Sequence, residues 1–212
     1  TKVVDTKVDF IHKENEYNEY EKEVLLPHNI SQNGPYTSIA DVNNDGLEDL
    51  FIGGATGQSG VLYLQKENGK FFKNLSQPWE KDLQSEDLGS LFFDADGDKD
   101  MDLYITSGGS EKEQGNKALN DRLYINNGEG KFERKKNQLP NIYLSTQCVK
   151  SSDIDNDGDL DLFVGTRIIP NKYGFPPTSY LLINEKGIFK KASINRAQPL
   201  EKIGMVTDAV FS

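Results

Sequence analysis

Apolar residues in this chain come in short bursts on the scale of Leu50-Phe51-Ile52, separated by polar turns. Such bursts have the length of strands and are far too short to span a bilayer. No window of a dozen residues carries a sustained helical period. The nearest is Lys13 to Glu23, where Tyr17 and Tyr20 would share one face of a short helix. The bursts recur in a fixed order. Leu50-Phe51-Ile52-Gly53, Leu103-Tyr104-Ile105-Thr106 and Leu162-Phe163-Val164-Gly165 each follow an acidic window. Further on, Leu62-Tyr63-Leu64-Gln65, Leu123-Tyr124-Ile125-Asn126 and Leu181-Leu182-Ile183-Asn184 each run through a glycine-bearing turn into Phe71, Phe132 and Phe189. Strand, tight turn and strand is the pattern of a β-hairpin.

The acidic windows align without gaps. The first, 41–49, reads Asp41-Val42-Asn43-Asn44-Asp45-Gly46-Leu47-Glu48-Asp49. The second, 94–102, reads Asp94-Ala95-Asp96-Gly97-Asp98-Lys99-Asp100-Met101-Asp102. The third, 153–161, reads Asp153-Ile154-Asp155-Asn156-Asp157-Gly158-Asp159-Leu160-Asp161. They begin 53 and 59 residues apart. A period of that size with about four strands per unit predicts an all-β fold, a β-propeller or similar repeat array, in which each small sheet stacks on its neighbours. Thr207 to Ser212 resembles the strands that lead into the windows (Thr37 to Ala40, Gly89 to Phe93, Val149 to Ser152). A fourth window would open at about residue 213. The expectation is therefore a lead-in segment over 1–29 and a partial propeller over 30–212, with three blades, a lead-in strand and a fourth repeat cut at 212.

Charge sharpens this reading. The 212 residues carry 34 acids and 24 Lys and Arg, a net charge of −10. The three windows hold 14 of those acids and a single base, Lys99, so the rest of the chain is slightly positive. Carboxylates about 5 Å apart repel by roughly 1–3 kcal/mol. Concentrated this way, they either splay into solvent or surround a cation. Positions 1, 3, 5 and 9 of the windows are all Asp or Asn: Asp41, Asn43, Asp45 and Asp49; Asp94, Asp96, Asp98 and Asp102; Asp153, Asp155, Asp157 and Asp161. The position-7 carbonyls of Leu47, Asp100 and Asp159 add one more oxygen each. Hard oxygen donors on flexible loops suit Ca²⁺, which accepts six to eight of them, better than Mg²⁺ or a soft metal. These are not EF-hands, because position 12 is Ile52, Ile105 or Val164, inside a strand, and the ninth-position Asp closes the loop instead. Gly46 and Gly158 suit the left-handed turn at position 6. Lys99 does not, so the second of three calcium sites is expected to be the weakest or differently shaped, with Gly97 shifting the turn.

Other classes are disfavoured. An acidic chain lacks the basic face that nucleic acid requires. A lone cysteine, Cys148, excludes an internal disulfide framework and a multi-Cys zinc site. There is no apolar N-terminal stretch, so a signal peptide is absent or already removed.

The windows resemble the FG-GAP/VCBS repeats of integrin-α-type propellers, whose D-x-[DN]-x-D-G-x-x-D loop joins two strands of a blade. The resemblance covers about residues 30–212, and Gly53-Gly54-Ala55 is similar to that family's Gly-Ala-Pro element. Upstream, Phe10-Ile11-His12-Lys13-Glu14-Asn15, Leu25-Leu26-Pro27-His28 and Gly34-Pro35 resemble the bacterial cartilage-acidic-protein-like group (ASPIC/UnbV-associated), many of whose members come from outer-membrane nutrient-uptake settings. The resemblance implies calcium in the loops and a seven-bladed ring, which this length does not supply. It implies no single activity.

The function expected first is a calcium-stabilised interaction module, extracellular, cell-surface or periplasmic, that binds a protein or a glycan, as in cell adhesion. A polysaccharide lyase or hydrolase, or a lectin, is the alternative. A glycosidase needs two flanking carboxylates, and outside the windows only Glu111, Glu113 and Glu133 stand as loose candidates. Cys148 reads as a buried thiol, and His12 and His28 as packing or surface residues that could sit together. Trp79, Tyr143, Tyr173 and Tyr180 offer rings for sugar stacking, though a core role is favoured. Arg167 to Pro177 is a Pro- and Gly-bearing loop and the preferred ligand-facing segment. Arg134-Lys135-Lys136 reads as a solvated strand end. Asn29-Ile30-Ser31 and Asn74-Leu75-Ser76 are glycosylation sequons. Open sheet edges make self-association possible.

Overall fold

A computed structural model describes residues 6–24, 26–200 and 202–212. The first five residues of the lead-in and Leu25 of the Leu25-Leu26-Pro27-His28 element lie outside the described residues. Among the described residues, twelve strands form three antiparallel sheets in chain order. The first contains β1 (Thr37–Ala40), β2 (Asp49–Ile52), β3 (Val61–Gln65) and β4 (Phe71–Asn74). The second contains β5 (Asp87–Phe93), β6 (Asp102–Ser107), β7 (Arg122–Asn126) and β8 (Phe132–Glu133). The third contains β9 (Ser145–Ser152), β10 (Asp161–Ile168), β11 (Tyr180–Glu185) and β12 (Ile188–Lys191). Each acidic window is the connection between the first two strands of its sheet.

Register follows the repeat. Leu50 faces Ile39 and Tyr63; its counterpart Leu103 faces Phe92 and Tyr124; Leu162 faces Ser151 and Leu182. The second strands are flanked on both edges and covered on both faces. Every residue of β6 is buried, and seven of the eight in β10. Burial on both faces is why these bursts are continuously apolar rather than alternating.

The core lies between the sheets, as propeller-type blades require. One cluster joins Phe51 and Leu62 of the first blade to Leu103, Ile105 and Tyr124 of the second. Another joins Phe93, Tyr104 and Leu123 to Val149, Leu162, Val164 and Leu182. Trp79 sits on the 3-10 turn Pro78–Lys81 and is wedged between blades, edge-on to Phe51 and Tyr124 at 5.4 Å and tilted against Phe132 at 5.3 Å. At 2% exposure it is a core residue and no sugar platform. First strands lie beside one another: the Ser38 hydroxyl of β1 donates to the Ser90 carbonyl of β5 at 2.8 Å.

The segment nearest to a helical pattern, 13–23, contains one 3-10 turn, Glu19–Glu21. Short helices are marginal in water, and one here would stack like charges. Side-chain ties hold the segment instead. Gln58, past β2, accepts from Lys13 N at 2.9 Å and donates to the Ile11 carbonyl at 2.8 Å. The buried carboxylate of Glu19 accepts from Ile30 N and from the hydroxyl of Ser110, past β6. Glu23 accepts from Tyr173 N, past β10, at 2.6 Å. The lead-in thus braces all three blades at the ends of their second strands. At the other terminus, Val206 N donates to the Thr166 carbonyl at 3.1 Å and Lys150 pairs with Asp208 at 2.9 Å, so this segment lies along β9 and β10. Residues 203–212 carry no strand.

Candidate metal centre

The three windows fold into the same loop, built on two fixed carboxylates. At position 1, Asp41 accepts from Asp45 N and Gly46 N, Asp94 from Gly97 N and Lys99 N, and Asp153 from Asp157 N and Gly158 N. At position 9, Asp49 accepts from Val42 N and Gln65 N, Asp102 from Ala95 N and Asn126 N, and Asp161 from Ile154 N and Asn184 N. Four backbone N–H groups therefore orient two carboxylates in each loop before any ligand arrives. The position-9 side chains are fully buried and join the loop to the third strand of the blade.

Two left-handed residues shape each turn. They are Asn44 and Gly46, Gly97 and Lys99, and Asn156 and Gly158. Positions 4 and 6 match throughout, so the second loop keeps the common backbone. Gly97 supplies position 4 and does not shift the turn, while Lys99 adopts φ +76° at position 6.

Asp94, Asp96 and Asp102 bring carboxylate oxygens within 4.8 Å of one another, as do Asp153, Asp155 and Asp161; each set could hold a metal ion. In the first loop, position 3 is Asn43, whose amide donates to Asp45 at 3.1 Å. At position 5, Asp45, Asp98 and Asp157 each accept the N–H two residues on. The position-7 side chains turn away: Asp100 accepts from Asn44 at 3.0 Å, and Asp159 from Lys186 N at 3.0 Å. Only the carbonyls of Leu47, Asp100 and Asp159 remain as candidate ligands there.

The electrostatics fit a cation. Burial pushes Asp102 up to about 7 and raises Asp49 and Asp161, with smaller contributions from neighbouring carboxylates. Desolvation and Asp98 also raise Asp96. One oxygen each of Asp96 and Asp155, at position 3, is buried with no hydrogen-bond partner. Orphaned carboxylate oxygens beside raised carboxylates are what a hard cation satisfies. Lys135, 3.9 Å from Asp96, and Arg196, 3.4 Å from Asp155, offer only partial compensation.

Sequence reasoning missed the residues that join one loop to the next. Asn126 donates to the Val42 carbonyl of the first loop at 2.7 Å and to Met101 of its own at 3.2 Å. Asn184 repeats this with Ala95 at 2.9 Å and Leu160 at 3.1 Å. The signal was present in the shared Leu-x-Ile-Asn endings of β7 and β11.

The remaining candidates are scattered. Glu113 pairs with Lys22 at 3.6 Å, and Glu133 is exposed on β8. Glu111 is buried near Glu86, which desolvation and the charges of Glu14 and Glu111 push up to about 8. Cys148 is buried, and burial raises its thiol. His12 bonds Glu14 at 2.7 Å, whereas His28 is exposed. Ile168 belongs to β10, and Tyr173 packs on the Leu26, Ile30 and Ile168 cluster, so part of the 167–177 segment is a brace. The Tyr180 ring lies 4.6 Å beneath the Lys191 ammonium.

Comparison with protein families matches residues 41–105, and again 94–164, to the FG-GAP-like repeat, which together cover more than half of the chain. Comparison with curated proteins finds no match. No helix among the described residues is long and apolar enough to cross a membrane.

Proposed function

This chain belongs to the FG-GAP-like repeat family, and on that premise we propose that it is a calcium-stabilised β-propeller interaction module that works at a cell surface or in the periplasm and binds a protein or glycan. The observation that carries this reading is the orphaned oxygens of Asp96 and Asp155, set among carboxylates already oriented by backbone N–H groups. Asp94, Asp96 and Asp102, and Asp153, Asp155 and Asp161, would hold the ion. Asp41, Asn43, Asp45 and Asp49 form the third set. Bound calcium neutralises carboxylates that burial leaves poorly solvated, and so fastens the first two strands of a blade together. The first loop is also bonded to the second blade through Asn126, and the second loop to the third blade through Asn184, so ion binding at these loops stiffens the stack.

Calcium titration by calorimetry is expected to show about three sites, with Asp45→Ala and Asp157→Ala each removing one. A flat titration, together with a melting temperature unmoved by chelator, would overturn the metal reading. At ten times its dissociation constant a single site contributes about 1.4 kcal/mol, which thermal denaturation resolves.

A further inference from the structure

Arg134-Lys135-Lys136 leaves β8, and folding brings three distant cations to it. Lys81 closes the turn Pro78–Lys81, and Lys112 and Lys117 lie on the connection between β6 and β7. Two adjoining cavities of about 440 and 460 Å³ share Asn120 and Arg134 in their walls, and together they display all six cations. The acids in those walls are Asp82 and Asp121. Both are engaged: Asp82 by Arg134 and the Tyr124 hydroxyl at 2.6 Å each, and Asp121 by Ser107 N, Thr146 and Tyr104. Lys112 and Lys135 each stand 3.9 Å from an acid, Glu111 and Asp96 respectively. Lys81, Lys117 and Lys136 are exposed and have no ion-pair partner among the described residues. In a molecule of net charge −10, these walls thus hold six cations against two acids. Such a field concentrates anions there.

The rest of the lining narrows the ligand. Asn116, Asn137, Gln138 and Asn141 supply amides that both donate and accept, and Gln138 Oε1 is buried without a partner. Neither cavity is lined by an aromatic ring. Bases and uncharged sugars lean on stacking platforms, which this groove lacks. We infer that the groove on this flank of the second blade binds an anionic oligosaccharide, with carboxylate or sulfate groups on Lys81, Lys117 and Arg134-Lys135-Lys136 and hydroxyls on the amides. The inference rests on the interaction-module reading above and names its ligand class.

The test uses the full chain saturated with calcium. Calorimetry compares an oligouronate hexamer, a sulfated hexasaccharide, an uncharged hexasaccharide and a short single-stranded oligonucleotide, with heats of each ligand in calcium buffer subtracted. One or both charged sugars are expected to bind, and to bind about tenfold more weakly when salt is raised from about 50 to 300 mM. Lys117→Gln combined with Lys136→Gln, at two exposed positions, should weaken binding by about tenfold. No binding of either charged sugar overturns the inference. So does equal binding by the double variant, by the uncharged sugar or by the oligonucleotide. Calcium heats recorded on the same sample separate the two levels: calcium uptake without sugar binding removes only the groove, whereas absent calcium uptake removes the reading beneath it.

Discussion

Lys99 holds a backbone conformation that its side chain opposes. Left-handed geometry costs an L-residue roughly 1–2 kcal/mol, and at the matching positions of the other loops the chain uses Gly46 and Gly158. Lys99→Gly is expected to stabilise the calcium-free protein by about 1 kcal/mol in denaturant titrations, with glycine's greater unfolded-state entropy offsetting part of the gain. It should also tighten calcium at the second loop by removing a positive charge. Unchanged stability would mean that the loop relaxes around the lysine. A second residue-scale prediction concerns Glu86. Its folded carboxyl is pushed up to about 8, first by burial and then by Glu14 and Glu111. Folding therefore takes up a proton between about pH 4.5 and 8, and stability falls as pH rises through that window. Asp102, at about 7, and Asp121, at about 6, act in the same direction. The calcium-free melting temperature should drop between about pH 5 and 8.5, and Glu86→Gln should shrink the drop and melt above the parent at the alkaline end. Parallel pH profiles for the two proteins would refute the assignment.

At the scale of elements, the repeated strands and hairpins were legible because both faces of β6 and β10 are buried and each carries a continuous apolar burst, Leu103-Tyr104-Ile105 or Leu162-Phe163-Val164. The non-helical course of 13–23 was not, because the ties that hold it come from Gln58, Ser110 and Tyr173, each far along the chain. Asn126 and Asn184 tie adjacent blades together, and each satisfies two loop carbonyls. Truncating Asn126 to Ala strands the buried Val42 carbonyl, and the expected cost is about 2 kcal/mol by denaturant unfolding. A cost within experimental error would show that water replaces the amide.

For the whole molecule, stacking is the source of stability and also of a liability. Blades bury their faces on one another, whereas Ile39 on β1 is 61% exposed and Phe72 on β4 is 51% exposed. Open strands and apolar residues of this kind invite pairing with another copy. Light scattering at high micromolar concentration is expected to show self-association that grows with salt, as the repulsion from the net negative charge is screened. A monodisperse monomer at all salt concentrations would count against it.

The amino-acid sequence determined the strands, the hairpins, the three loops and their oxygen donors, because each is encoded within a few consecutive residues whose spacing matches the local backbone period. Tertiary structure alone decided that Glu19 and Glu86 are buried, and that Lys81, Lys112 and Lys117 join Arg134-Lys135-Lys136 in one groove. Those outcomes depend on which distant segments meet when blades stack. A charge's neighbours across a blade interface leave no mark on the residues beside it in the chain.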